Sequence, residues 1–185
     1  MFVNDPVETT TLILRAVQQL PKGKTPLTVL IDGRSGSGKT VTARRLQHLL
    51  KAQLVHLDDA YPGWAGLASA TKAVSTTILS TEREQAGYRQ WDWGKNDYGP
   101  WKKVDPRKNL IVEGAGALST ETIAAARRRS GQRVLTVILE APEGRRRARV
   151  QCRDGDPTAW WEMWAAQENA HFAEQPDSDL RIVTC

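Results

Sequence analysis

Cysteine is nearly absent from these 185 residues: only Cys152 and Cys185 occur, far apart and without metal-ligand spacing. That leaves no disulfide framework to expect and fits a reduced, cytoplasmic setting. Long apolar runs are missing as well. The longest near the start, Leu12-Ile13-Leu14, is broken by Arg15, with no basic segment before it and no small-residue cleavage site after it. Neither a signal peptide nor a membrane span is expected. The chain has no internal repeat and no low-complexity tract. Its histidines, His48, His56 and His171, are scattered, so neither metal binding nor histidine catalysis is expected of them.

What remains is an ordinary globular composition, long enough for a single domain over residues 1–185 to bury a proper core. The net charge of +5 comes largely from two arginine clusters, Arg127-Arg128-Arg129 and Arg145-Arg146-Arg147 with Arg149. A basic protein can bind nucleic acid, a membrane surface or a small anion. The first cluster reads as a solvated helix end, where cations complement the dipole.

Strand and helix signals alternate. Residues 7–20 carry apolar positions near helical spacing, and Pro21 stops them. Buried-type strands are expected at 27–31, 54–57, 109–112, 134–139 and 180–183. Helices are expected at 41–50, 70–79, 121–129, 142–152 and 156–173, the last opened by Asp156-Pro157 as cap and first-turn proline. The stretch from Gly87 to Lys103 reads as a mostly irregular loop. This order implies an α/β fold with a five-stranded parallel sheet covered on both faces.

Directly after the first of these strands comes Gly33-Arg34-Ser35-Gly36-Ser37-Gly38-Lys39-Thr40, a match to G-x-x-x-x-G-K-[ST]. Glycines let backbone N–H groups converge on phosphate oxygens, and the following helix N-terminus adds positive potential. In such a loop Lys39 reaches the β and γ phosphates and Thr40 ligates Mg²⁺. The chain therefore reads as nucleotide-binding. Two further strands end in acids, Leu54-Val55-His56-Leu57 in Asp58-Asp59 and Leu110-Ile111-Val112 in Glu113. Ligands of open α/β sheets gather at such ends. Asp58 or Glu113 can hold the Mg²⁺ shell, and a carboxylate there can accept the proton of an attacking hydroxyl. Asp59 is expected to point away from its neighbour.

The ordered set GRSGSGKT, LDDAY, LIVEG, an arginine-rich RARVQCRD segment and DSDLRIV resembles the uridine kinase and phosphoribulokinase group of P-loop kinases over about residues 27–184. It looks most similar to small uridine-kinase-like ATP-binding proteins of actinobacteria. The resemblance implies a P-loop NTPase three-layer α/β/α sandwich with a helical lid at about 145–157, ATP and Mg²⁺ as cofactors, and Asp58 as catalytic aspartate. It implies Glu113 near the magnesium, and Arg149 and Arg153 as lid arginines that clamp ATP phosphates and lie against adenine. Spacing agrees independently: Arg145, Arg149 and Arg153 recur every four residues, so one helix face presents three guanidiniums suited to phosphate. That favours a lid over a nucleic-acid patch. In place of the group's F/Y-D-x-P substrate stretch stands Tyr88-Arg89-Gln90-Trp91-Asp92-Trp93.

Seven tryptophans are many for this length. Trp160, Trp161 and Trp164 read as core packing on the last long helix. Trp64, Trp91 and Trp93 sit in loops beside polar residues, as does Trp101, and aromatic walls with few fixed polar groups describe a small-molecule pocket. Substrate contacts are expected from Asp58, Tyr61, Trp64, Arg89, Trp91, Asp92 and Trp93, within loops spanning about 58–103. The leading expectation is an ATP-dependent small-molecule kinase with a hydroxyl acceptor, a nucleoside or nucleoside-like compound among the candidates, and no membrane or nucleic-acid partner. The alternatives are a P-loop NTPase switching a protein or nucleic-acid partner, and a nucleotide-binding protein that has lost catalysis.

Overall fold

Thr28–Asp32 is buried along its whole length and apolar at its centre, Val29 to Ile31, as suits a strand flanked on both sides and covered on both faces. The computed structural model describes residues 2, 3 and 5–184, so Cys185 lies outside the described residues. In chain order the strands are β1 (Phe2–Val3), β2 (Thr28–Asp32), β3 (Gln53–His56), β4 (Gly87–Asp92), β5 (Asp97–Lys103), β6 (Leu110–Glu113), β7 (Val134–Glu140) and β8 (Leu180–Thr184). The helices are α1 (Pro6–Gln19), α2 (Lys39–Leu50), α3 (Leu67–Ala73), α4 (Thr120–Ser130), α5 (Glu143–Asp154) and α6 (Trp161–Ala173). A π-helical turn, Val74–Ile78, continues α3.

The main sheet runs β1-β8-β7-β2-β6-β3, and every pairing in it is parallel. The five expected strands are all in it. The short β1 extends it at the edge beside β8. Alternation along the strands divides the core between the two faces. Val29 and Ile31 pack with Ile13, Ala43 and Leu46 of α1 and α2. Leu30 and Val112 face the other way, onto Leu67, Ala70, Ala126 and Trp164 of α3, α4 and α6. The result is the expected three-layer α/β/α sandwich.

Two expectations are corrected. Gly87–Lys103 is not irregular: β4 and β5 form an antiparallel hairpin, with a register shift between Arg89 and Trp91. The turn residue Asn96 adopts φ 51, the left-handed region that asparagine tolerates. Asp156 does not cap the last helix directly. Its carboxylate accepts from the Thr158 amide in a local turn, and α6 begins five residues later, at Trp161.

The first arginine cluster divides. Arg127 and Arg128 are exposed, whereas Arg129 is buried and donates to the Thr28 hydroxyl and to the Asp105 and Lys108 carbonyls. Burial lowers its guanidinium to a pKa of about 10. Arg129 is a clamp between α4, β2 and the 105–108 turn.

Candidate active site

Register sets the site. Glu113, the last residue of β6, pairs with Ile31 of β2 on one side and His56 of β3 on the other. The ends of three neighbouring strands therefore stand level, and the loops that follow them meet above the sheet. Asp32 ends β2 fully buried. It accepts hydrogen bonds from the amides of Gly33, Gly116 and Leu118, and bonds His171 Nε2 of α6 at 2.8 Å. This one carboxylate ties the 33–38 loop, the β6–α4 loop and α6 together.

The 33–38 loop leads straight into α2 at Lys39. Gly38 at the N-cap has φ 98 and offers no capping side chain, so nothing from that position competes with an anion for the first-turn amides. Two glycines are demanded by close approach. A Cβ on Gly33 would meet the Leu139 carbonyl oxygen at 2.1 Å, and one on Gly36 would meet the Arg146 carbonyl oxygen at 2.4 Å. Lys39 is largely buried, and its Nζ donates to the Arg34 carbonyl at 3.1 Å, curled along the loop it serves.

A cavity of about 680 Å³ opens over these strand ends. Ser35, Gly36, Gly38, Lys39 and Thr40 line it, together with Asp58, Asp59, Tyr61, Glu113, Arg149 and Arg153. Gly33, Arg34 and Ser37 do not. The Arg34 guanidinium lies 4.9 Å from the Phe172 ring centroid, on the far side of the loop. Asp59 faces the cavity beside Asp58, contrary to the expectation from strand alternation, because a 3₁₀ turn at Leu57–Asp59 replaces the extended backbone.

Glu113 Oε1 accepts from the Thr40 hydroxyl at 3.0 Å and is 2.5 Å from His56 Nδ1. That hydrogen bond raises the imidazole above its ordinary pKa of 6.5. Asp58 is open to the cavity yet sits deep among protein atoms, and this desolvation, with the Glu113 charge behind it, raises its carboxyl. Lys39 and Arg153 pull in the opposite direction. Tyr61 is buried, with its hydroxyl donating to the Ala115 carbonyl at 2.8 Å, and burial pushes its phenol well above 10.

A magnesium ion carried with a nucleotide needs only one or two protein carboxylates, since phosphate and water complete its octahedron. Among the described residues no three His, Cys, Asp or Glu side chains form a metal cage. The Thr40 hydroxyl in contact with Glu113, with Asp58 on the same cavity, is an all-oxygen donor set and fits that hard cation.

Helix α5 supplies the arginines, but not as one simple face. Arg149 and Arg153 line the cavity. Arg149 Nη1 also donates to the Gly36 carbonyl at 3.1 Å, and Arg153 is forked onto Asp154. Arg145 stands outside, exposed. Arg146 instead turns inward, 7% exposed, and its Nη1 donates to the Ser35 carbonyl.

The aromatic wall combines two parts of the chain. Trp64 stacks on Trp160 with centroids 4.7 Å apart and meets Trp93 at 5.0 Å. All three line the cavity, with Trp164 behind them. Trp160 and Trp164 were expected only as core; Trp164 is core and wall at once. Trp93 Nε1 donates to the Asp58 carbonyl at 3.0 Å, which anchors the hairpin to the acidic turn. Arg89, Trp91 and Asp92 are not among the lining residues. Trp91 packs edge-on against Tyr98, and Asp92 accepts from the Gly94 and Lys95 amides within the hairpin turn.

Four residues of the site carry no sequence signal of their own: Asp32, His56, His171 and Glu168. Strand alternation could have placed His56 beside the acidic end of β3. Nothing local marks Glu168, which lies on α6 and reaches the Ser35 amide across 133 residues.

No family model matches the chain, and no curated protein matches it in sequence. Solved structures do match it in fold. A Bacillus stearothermophilus protein assigned as a possible uridine kinase superposes with a TM-score of 0.57 at 16% identity, covering 95% of this chain and 98% of the other. A Silicibacter sp. TM1040 protein assigned as a fructose transport system kinase gives a TM-score of 0.59 at 18% identity, covering 97% and 99%. The fold is that of P-loop kinases. At these identities the likeness speaks for architecture alone. No helix among the described residues is long and apolar enough to cross a membrane.

Proposed function

We propose that this protein is a small-molecule kinase, transferring the γ-phosphoryl group of ATP to a hydroxyl of an acceptor bound under the tryptophan wall. One observation carries the reading: the Asp58 carboxylate opens into the same cavity as Lys39, Thr40 and the α5 arginines. A phosphate grip alone would serve any nucleotide-binding protein. A carboxylate facing that grip, with room for a second molecule beside it, serves transfer.

In this reading the loop amides and Lys39 hold the β and γ phosphates, and Arg149 and Arg153 neutralise charge on the moving group. Thr40 and Glu113 would hold a magnesium ion, which would offset charge on the phosphates. Asp58 accepts a hydrogen bond from the acceptor hydroxyl and orients its oxygen in line with the γ phosphorus. The new O–P bond forms as the bond from the γ phosphorus to the β–γ bridging oxygen breaks. The hydroxyl proton passes to Asp58 and then to water, and ADP departs with the bridging electron pair. His56 holds Glu113 in place from behind. Closure of the 145–157 segment would exclude water, which otherwise competes as acceptor.

Both fold neighbours carry kinase names, and the uridine-kinase-like motif order points the same way. A cytoplasmic location suits an ATP-dependent enzyme with so few cysteines. The test is a screen of hydroxyl compounds with purified protein and Mg·ATP, reading product mass and ADP together. ADP released at one rate with or without any acceptor would replace this reading with an NTPase switch. Tight ATP binding with no ADP at all would make the protein a catalytic relic.

A further inference from the structure

The cavity is lined by charges of both signs. Lys39, Arg44, Arg149 and Arg153 line it together with Asp58 and Asp59, and Trp64 and Trp93 belong to the same wall. The four cations are matched to the triphosphate. Glu113 is engaged by Thr40 and His56. Asp58 has a role in transfer. Asp59 is left over, a half-exposed carboxylate with no hydrogen-bond or ion-pair partner among the described residues.

Its surroundings say what it suits. The Trp93 indole is pinned to the carbonyl of Asp58, the residue before Asp59, and Trp93 and Asp59 line the same cavity. Trp64 and Trp93 are each 41% exposed on the same wall. An indole face attracts a cation through its quadrupole, and a carboxylate attracts it through its charge. Both repel or fail to solvate an anion. A neutral acceptor would bring Asp59 no charge partner of its own when the cavity fills and water leaves, and the His56 imidazole that feels the Asp59 charge is already bonded to Glu113.

We infer that the acceptor is an organic cation bearing a hydroxyl, its ammonium group held between Asp59 and the faces of Trp64 and Trp93 while its hydroxyl meets Asp58. The inference rests on the kinase reading for the hydroxyl but not for the cation. Asp59 is thus a specificity-determining residue, and anionic acceptors such as sugar acids are excluded by the paired carboxylates.

Binding separates the two claims, because it needs no turnover. Three probes share one aromatic body and differ in charge: 2-phenylethylamine, 2-phenylethanol and phenylacetate. Each is titrated calorimetrically at pH 7 into the full chain saturated with Mg²⁺ and a non-hydrolysable ATP analogue, which engages the phosphate loop and its cations. The amine is expected to bind at least about ten-fold more tightly than the alcohol, and phenylacetate more weakly than either. Asp59→Asn should shrink the amine's advantage to about two-fold or less while leaving affinity for the ATP analogue unchanged. The inference is overturned if the alcohol binds as well as the amine, if the amine fails to bind at millimolar concentration, or if its advantage survives in Asp59→Asn. Failure of the kinase reading looks different: no hydroxyl compound gains phosphate, whatever the probes do.

Discussion

The Ser35 amide donates to Glu168 Oε1 at 2.6 Å, and the same oxygen accepts from Trp164 Nε1 at 3.0 Å. One buried carboxylate therefore grips the outer side of the phosphate loop and the back of the aromatic wall. Its second oxygen lies 3.8 Å from Arg34 and 4.0 Å from Arg146, at the long end of ion pairing.

Removing that carboxylate should loosen the loop and the wall together. Glu168→Ala leaves one buried and one partly buried donor unsatisfied and two arginines without their counter-charge, a loss of roughly 3 kcal/mol in unfolding free energy. Glu168→Gln keeps an oxygen for both N–H groups and should lose less. Denaturant unfolding of the two variants gives the order, and equal losses would show that charge, rather than the hydrogen bonds, is what Glu168 contributes.

The arginines divide by position rather than by cluster. Arg149→Ala and Arg153→Ala should lower ATP affinity or turnover, whereas Arg127→Ala and Arg128→Ala, on an exposed helix end, should change either by less than about two-fold. Arg129→Ala belongs to neither group. It removes the buried partner of the Thr28 hydroxyl and of two carbonyls, so thermal stability should fall while the ATP affinity of the folded fraction holds. Nucleotide binding measured beside a melting curve separates the three classes.

What could be read in the sequence was what is local. The phosphate loop is contiguous, and Asp58 and Glu113 announce themselves as acids closing apolar runs. Arg149 and Arg153 show by their four-residue spacing. The β4–β5 hairpin was hidden because a register shift between Arg89 and Trp91 breaks its alternation, although Gly94 to Asn96 carries turn chemistry. Arg129 looked like a solvated end because its partners come from residues 28, 105 and 108. Arg146, not Arg145, faces the loop because α5 lies with that side against Ser35. Asp32, His171 and Glu168 meet only when α6 packs across the sheet end, and no spacing encodes that.

Lys39→Ala should abolish transfer with the fold intact. Its ammonium makes one hydrogen bond, to the Arg34 carbonyl, so little of the structure depends on it, while the β and γ phosphates lose their counter-charge. Circular dichroism and acceptor-dependent ADP release check both halves. Unchanged turnover would remove the loop from the mechanism.

Asp58 allows the sharpest test, because its role in transfer and its effect on stability have opposite signs. As a base it must be ionised, so turnover over Km should fall with acidification at a pH above the ordinary carboxylate range of about 3.9, its carboxyl being raised by desolvation and then by Glu113. The same raised value means that the fold penalises the charged form. The penalty is absent below the ordinary pKa, where the carboxyl is neutral folded or unfolded. It is present in full above the raised value. Asp58→Asn removes that penalty and keeps the side chain's size. The variant should therefore lose about 10² to 10⁴ in turnover, keep ATP affinity through Lys39, Thr40 and the arginines, and melt at a higher temperature than the parent at pH 7. At pH 4 the difference in melting temperature should shrink. Asp58→Asn that melts lower at pH 7 would mean the carboxylate is stabilised by Lys39 and Arg153 more than it is penalised. Loss of Mg·ATP binding in Asp58→Asn, with binding retained in Glu113→Gln, would move Asp58 from the base to the metal shell.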